Sequence, residues 1–182
     1  MRLGVIADTH GLLRPEVLEV FAQVDHILHG GDVGKWDVVS ELEALAPVTA
    51  VYGNVDGLEI RTRLARVATL RLDGFDIVVT HGDQFGSPTP AKLVAEFPRA
   101  EIIVFGHTHR PLIDWKGERL VFNPGGVHQW NRTTTAERLR QRPGWFEWSW
   151  LQVARHIRSS PEPSVGLLEL GPDGVKPRIV AL

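Results

Sequence analysis

The chain has no cysteine. That absence excludes disulfides, thiolate metal sites and cysteine nucleophiles, so any metal must be bound through nitrogen and oxygen. It has almost no net charge either: 20 Lys and Arg against 22 Asp and Glu leave −2. There is no global basic field of the kind non-specific nucleic-acid binding needs. No segment approaches the apolar length that spans a bilayer. The apolar run at Met1 to Ala7 is too short for a signal peptide, so cytoplasmic residence is expected. No internal repeat is present.

What is there suits a folded core. A length of 182 residues with 43% hydrophobic residues predicts one domain over 1–182. Short apolar runs at Leu3 to Ala7, Ile27 to His29, Val48 to Tyr52, Ile77 to Thr80 and Ile102 to Phe105 read as buried strands, each ending at a polar cluster. Helical patterns lie between them at Pro15 to Val24, Trp36 to Leu45 and Thr89 to Phe97, the last after a start signal at Ser87-Pro88. Three hairpins are predicted: Arg66 to Leu72 with Phe75 to Thr80, Leu112 to Trp115 with Arg119 to Phe122, and Val165 to Leu170 with Val175 to Val180. The result is a layered α/β domain with mixed sheets.

One stretch breaks the rhythm. His128 to Pro163 carries Trp130, Trp145, Trp148 and Trp150 interleaved with arginines such as Arg132, Arg138 and Arg155. It reads as an insertion at about 128–163. A lid, a membrane-surface helix, a base-stacking platform and a homo-oligomer contact are all compatible with it. Packing on the domain surface or on a second subunit explains the tryptophans without new chemistry.

The residues that carry chemistry follow the strands, where open α/β sheets place ligands. Asp8-Thr9-His10 follows the first strand, and a spacing of two in an extended segment would point both side chains the same way. In His29-Gly30-Gly31-Asp32 the glycines permit tight geometry, leaving Asp32 exposed at a strand end where it could bridge two metals; His29 suits packing or a supporting hydrogen bond. Gly53-Asn54-Val55-Asp56 offers a neutral amide oxygen. His81-Gly82-Asp83 and Gly106-His107-Thr108-His109 complete the series, the second placing two imidazoles on one side of an extended segment. Taken singly, the first three motifs read as ordinary turns and His81 as a structural histidine, while the His107 and His109 pair is the most specific single signal. The order of the motifs, each at the end of a separate strand, is what coincidence does not produce.

As a set these motifs resemble the calcineurin-like metallophosphoesterase superfamily, and within it the small single-domain bacterial and archaeal phosphodiesterases. The resemblance covers Met1 to about Gly126 and resumes at Ser164, leaving the insertion outside. It implies a four-layer αββα sandwich and two divalent ions, one held by Asp8, His10, Asp32 and His109, the other by Asp32, Asn54, His81 and His107, with Asp32 bridging. It implies hydrolysis of phosphate esters by in-line attack of a hydroxide shared between the ions. Asp32, Asn54, Asp56 and His107 are the expected catalytic positions, Asp56 in an orienting role. Thr9, Thr108 and Asn123 could help shape the site. Many relatives carry histidine where this chain has Val55, which cannot transfer a proton; the small phosphodiesterase branch often lacks it too. Imidazole-rich ligation suits manganese first, with iron, zinc, nickel and cobalt as alternatives. The expected substrate is a small phosphate ester, nucleotides included. Phosphomonoester hydrolysis and a protein-interaction scaffold of the same fold are the competing readings.

Overall fold

Apolar residues alternate sides along the first strand, β1 (Arg2–Ile6), and each side meets a different layer. Leu3 and Val5 point into a core between two sheets, while Ile6 points the other way and packs with helix residues. β2 (His26–His29) runs parallel to β1 and divides Ile27 from Leu28 in the same manner. The period of two in a strand buried on both faces therefore sets the layering. The computed structural model describes residues 1–128 and 162–182. The expected tryptophan-rich insertion, and any homo-oligomer contact through it, lies outside the described residues apart from its two ends.

The first sheet adds β3 (Val48–Ala50), β9 (Ser164–Gly171) and β10 (Gly174–Ala181), in the order β10-β9-β1-β2-β3. β1, β2 and β3 are parallel, and β9 returns antiparallel to β1. The second sheet comprises β4 (Val67–Leu72), β5 (Phe75–Thr80), β6 (Ile102–Phe105), β7 (Leu112–Lys116) and β8 (Arg119–Asn123), ordered β4-β5-β6-β8-β7. Here β5, β6 and β8 are parallel. Ile77, Val79, Ile102, Val104, Leu120 and Phe122 face Leu3, Val5 and Leu28 across the inter-sheet core.

Helices α1 (Pro15–Phe21) and α2 (Trp36–Glu43) bury Val17, Phe21, Val38, Val39 and Leu42 on the outer face of the first sheet. α4 (Pro90–Glu96) buries Leu93 against Val78, Ile103, Phe105 and Val121 of the second. The order is helix, sheet, sheet, helix: the αββα sandwich.

Three sequence expectations need correction. α1 and α2 stop at Phe21 and Glu43 rather than Val24 and Leu45, because each chain turns at once to enter the next parallel strand. α4, by contrast, falls where it was expected: Thr89 caps it by accepting from the Lys92 N–H, Phe97 is its C-cap, and Pro90 occupies the first turn, where its missing N–H costs nothing. A further helix, α3 (Leu58–Arg63), lies where none was expected and buries Ile60.

Candidate metal centre

The parallel strands of both sheets deliver their following residues to one edge of the sandwich. Asp8, Asp32 and Asn54 follow β1, β2 and β3; His81 follows β5; His107 and His109 follow β6. These side chains converge, but the backbone carrying them is not extended as the spacing suggested. Among the described residues, the non-glycine positions with positive φ are Asp8 (54°), His10 (48°), Asp32 (52°), Asp73 (48°), His107 (67°) and His109 (53°). All but Asp73, which sits in a hairpin turn, belong to the expected ligand set. The left-handed region costs a non-glycine residue roughly 1–2 kcal/mol, and such strain gathers where surrounding structure enforces it for function. A further consequence is that His107 and His109 do not share one side: they diverge to two different clusters.

The first cluster joins Asp8, His10 and His109. The Nε2 atoms of His10 and His109 lie 3.4 Å apart, and His109 Nε2 is 3.5 Å from Asp8 Oδ1. The second cluster surrounds His81, whose Nε2 is 3.3 Å from Asp32 Oδ2 and 3.1 Å from Asn54 Oδ1; His107 Nδ1 is also 3.1 Å from Asn54 Oδ1. Asp32 faces both, its Oδ2 lying 4.0 Å from His10 Nε2. Asp8 likewise belongs to both, since Asp8, Asp32 and His81 form a second group with ligand atoms within 4.8 Å of one another. Asp32 is buried, against the expectation of exposure, because His81 and the Gly53 turn close over it. Glycine is required at that turn: a Cβ at Gly53 would lie 2.1 Å from Asp32 Oδ1.

Protonation follows from burial and crowding. Burial pushes the Asp8 carboxyl up to about 8, against the pull of His81. Burial also favours protonation of Asp32, but the hydrogen bond and charge of His81, with the Val55 N–H, outweigh it and hold that carboxyl below its ordinary range. His81 is the reciprocal case: burial would lower it, yet Asp32 and Asp8 raise it to about 9. Burial, then repulsion from His10, brings His109 down to about 4, and burial lowers His10 and His107.

These donors fit divalent cations. Asp8 Oδ2 is buried with no hydrogen-bond partner among the described residues, which ordinarily carries a substantial penalty. His81 Nδ1 lies 2.9 Å from the Gly30 carbonyl, which can only accept, so Nδ1 carries a proton; a cation that displaces the second proton, on Nε2, would meet a lone pair aimed into the cluster. A set of carboxylate, imidazole and amide oxygen is what a borderline cation takes.

Supporting groups complete the site. The Asp56 carboxylate accepts from the N–H groups of Gly53 (2.8 Å), Gly34 (2.7 Å) and Val33 (3.2 Å), so it orients two ligand loops from behind. Asn123 donates to the Gly106 carbonyl and to Thr108 Oγ1, bracing the loop that carries His107 and His109. Thr9 and His29 bond to each other in the interior. Two residues have no counterpart in the sequence reading. His128, assigned there to the insertion, remains with the fold: its N–H donates to the Asp8 carbonyl and its ring meets that of His10 edge-on at 5.5 Å. Its place just after the Asn123-Pro124-Gly125-Gly126 turn was the available signal. Arg61 on α3 donates to the Asn54 carbonyl (2.9 Å); it acts through backbone, and no motif marks it.

A family model described as the calcineurin-like phosphoesterase superfamily domain matches residues 1–139. A protein of Methanothermobacter thermautotrophicus named probable metallophosphoesterase is 36% identical over 136 residues, covering 69% of this chain and 76% of that protein. Phosphodiesterase YfcE of Escherichia coli is 33% identical over 151 residues, covering 70% of this chain and 79% of its own. Among solved structures, wild-type Vps29 of Entamoeba histolytica complexed with zinc superposes with a TM-score of 0.69 at 21% identity, covering 100% of this chain and 99% of that one. This last likeness is one of fold.

Proposed function

Because the chain belongs to the calcineurin-like phosphoesterase superfamily, we propose that it is a metal-dependent phosphodiesterase with a dinuclear centre. The observation that carries this is the pair of clusters that overlap at Asp8, with Asp32 Oδ2 facing an imidazole of each. Asp8, His10, Asp32 and His109 would hold one divalent ion, manganese by preference; Asp32, Asn54, His81 and His107 would hold the other. Bound there, two such ions would supply a nucleophilic hydroxide at neutral pH and would neutralise charge on the phosphoryl oxygens.

The chain's own residues prepare the site for that chemistry. The Val55 N–H fixes Asp32 through Oδ1 (3.1 Å), leaving Oδ2 for the shared position, and the His107 N–H fixes Asp8 through Oδ1 (3.2 Å). The Gly30 carbonyl selects the His81 tautomer. Asn54 and Val55 are exposed, so substrate enters past them. Val55, 56% exposed, presents an apolar surface and no proton to the departing alcohol. That favours esters whose leaving groups depart unaided, and it favours a diester, which carries one charge fewer than a monoester. The name of the E. coli relative points the same way.

The test is to strip the protein of metal, titrate Mn²⁺, and assay bis(p-nitrophenyl) phosphate beside p-nitrophenyl phosphate. Turnover of the diester that rises with the second equivalent of Mn²⁺ is expected. Bound metal without turnover for any divalent ion would sink the enzyme reading and favour the scaffold; faster monoester turnover would transfer the assignment to a phosphomonoesterase.

A further inference from the structure

His29 lies one turn from the metal centre, is fully buried, and is in neither ligand cluster. The Gly31 N–H donates to His29 Nδ1 (3.2 Å). A nitrogen that accepts carries no proton, so the ring proton is on Nε2. That Nε2–H donates to Thr9 Oγ1 (3.0 Å), and the Thr9 hydroxyl passes its own proton toward the Val33 carbonyl (3.0 Å). Every bond in this chain has one permitted direction, from Gly31 through His29 and Thr9 to Val33.

We propose that Thr9 and His29 form a buried latch that locks the two turns bearing Asp8, His10 and Asp32 in their left-handed geometry, and so act as positioning residues for metal binding. The inference rests on the metal-centre reading but not on the reaction. Thr9 is the residue between Asp8 and His10; Gly31 and Val33 flank Asp32. The latch thus grips each turn at the residues adjoining its ligands. The backbone bonds beside it, Asp8 N–H to Gly31 O (3.0 Å), His10 N–H to Asp32 O (2.9 Å) and Gly11 N–H to Val33 O (2.7 Å), bring the turns together. What they leave unset is the orientation of the buried imidazole and of the Gly31 amide. A pair of apolar side chains would fill the space at less desolvation cost, so a polar pair here has its value in geometry.

The test compares Mn²⁺ affinity by calorimetry for the wild type, Thr9→Ser, Thr9→Val and His29→Gln, each well below its unfolding temperature, with ¹⁵N imidazole spectra of the metal-free wild type. Thr9→Ser keeps the hydroxyl and should bind within about twofold of wild type, whereas Thr9→Val should weaken binding roughly 10- to 100-fold, the usual effect of losing a partner behind a ligand. His29→Gln keeps a donor to Thr9 but loses the acceptor for Gly31, and should fall between. The spectra should show His29 as the Nε2–H tautomer with a slowly exchanging proton. An Nδ1–H tautomer overturns the latch even if no variant folds. A folded Thr9→Val with wild-type affinity also overturns it. A wild type that binds Mn²⁺ but hydrolyses nothing defeats the phosphodiesterase reading alone, because the affinity differences are still read. A wild type that binds no divalent ion defeats both.

Discussion

The two halves of the metal centre are built differently. In the half containing Asp8, His10 and His109, the Asp8–Gly11 turn is laced to the Asp32 turn by a run of backbone hydrogen bonds, and the His128 N–H closes on the Asp8 carbonyl from the far side. In the half containing Asn54, His81 and His107, Asn54 is exposed and its turn is held by side chains, its own Asp56 and Arg61 of the helix that follows. A backbone-laced half is formed once the sheet is formed. A half held by side chains can be loosened without unfolding anything. Substitutions in the first should therefore register as lost stability together with lost metal, and those in the second mainly as lost affinity.

Asp32 belongs to both halves, so its replacement should be the most damaging. Asp32→Asn keeps the shape but removes the charge between them, a loss of several kcal/mol in transition-state stabilisation, or on the order of 10³-fold in kcat/KM at saturating Mn²⁺. Retention of activity within about tenfold would show that the halves do not depend on a common carboxylate. Next in size is Asp56→Ala. It strands the N–H groups of Gly53, Gly34 and Val33, two of them on the backbone-laced side. Stranded buried donors cost roughly 1–3 kcal/mol each, partly recovered by water, so urea unfolding of the metal-free protein should show a loss of about 3 kcal/mol. An unchanged midpoint would mean that the lacing stands without its brace. Gly53→Ala follows: its Cβ would press on Asp32 Oδ1, and overpacking of this kind costs roughly 1–3 kcal/mol. A lower unfolding temperature with weaker Mn²⁺ binding is expected; wild-type values in both would refute the close approach.

The same contrast explains what could be read from the chain in advance. Strand ends are legible because the apolar period of two stops there, and Asp8, Asp32, Asn54, His81, His107 and His109 all stand just past such a stop. Their backbone is not legible: Asp-x-His and His-x-His at a spacing of two look extended, and only the packing of one turn against another drives them to positive φ. Burial of Asp32 was missed for a related reason, since His81 and Gly53 come from other strands. α3 escaped because a helix of six residues with Ile60 as its buried side chain shows no helical period, and its leading apolar residue, Leu58, is 79% exposed. Arg61 is invisible with it. What sequence conveys here is chemistry and order, both local; what it withholds is set by contacts between distant segments.

The smallest effect, and the one that bears most directly on the difference between the halves, is expected at Arg61. Its guanidinium lies 5.3 Å above the Tyr52 ring and donates to the Asn54 carbonyl, steadying that residue while its side chain faces His81 and His107. Arg61→Ala removes an exposed hydrogen bond to the Asn54 carbonyl and a longer one to the Gly53 carbonyl, freeing the turn that presents Asn54, so Mn²⁺ affinity at the site of Asn54, His81 and His107 should fall roughly fivefold. Stability of the metal-free protein should move by less than about 0.5 kcal/mol, as for other exposed substitutions. Arg61→Lys should recover part of the affinity, since a lysine can donate to one carbonyl but lacks the planar group that lies over tyrosine. Calorimetry resolves the two binding events and thermal unfolding gives the stability. If Arg61→Ala instead lowered the unfolding temperature and left both affinities intact, the second half would be as much a product of the folded backbone as the first, and the distinction between them would be lost.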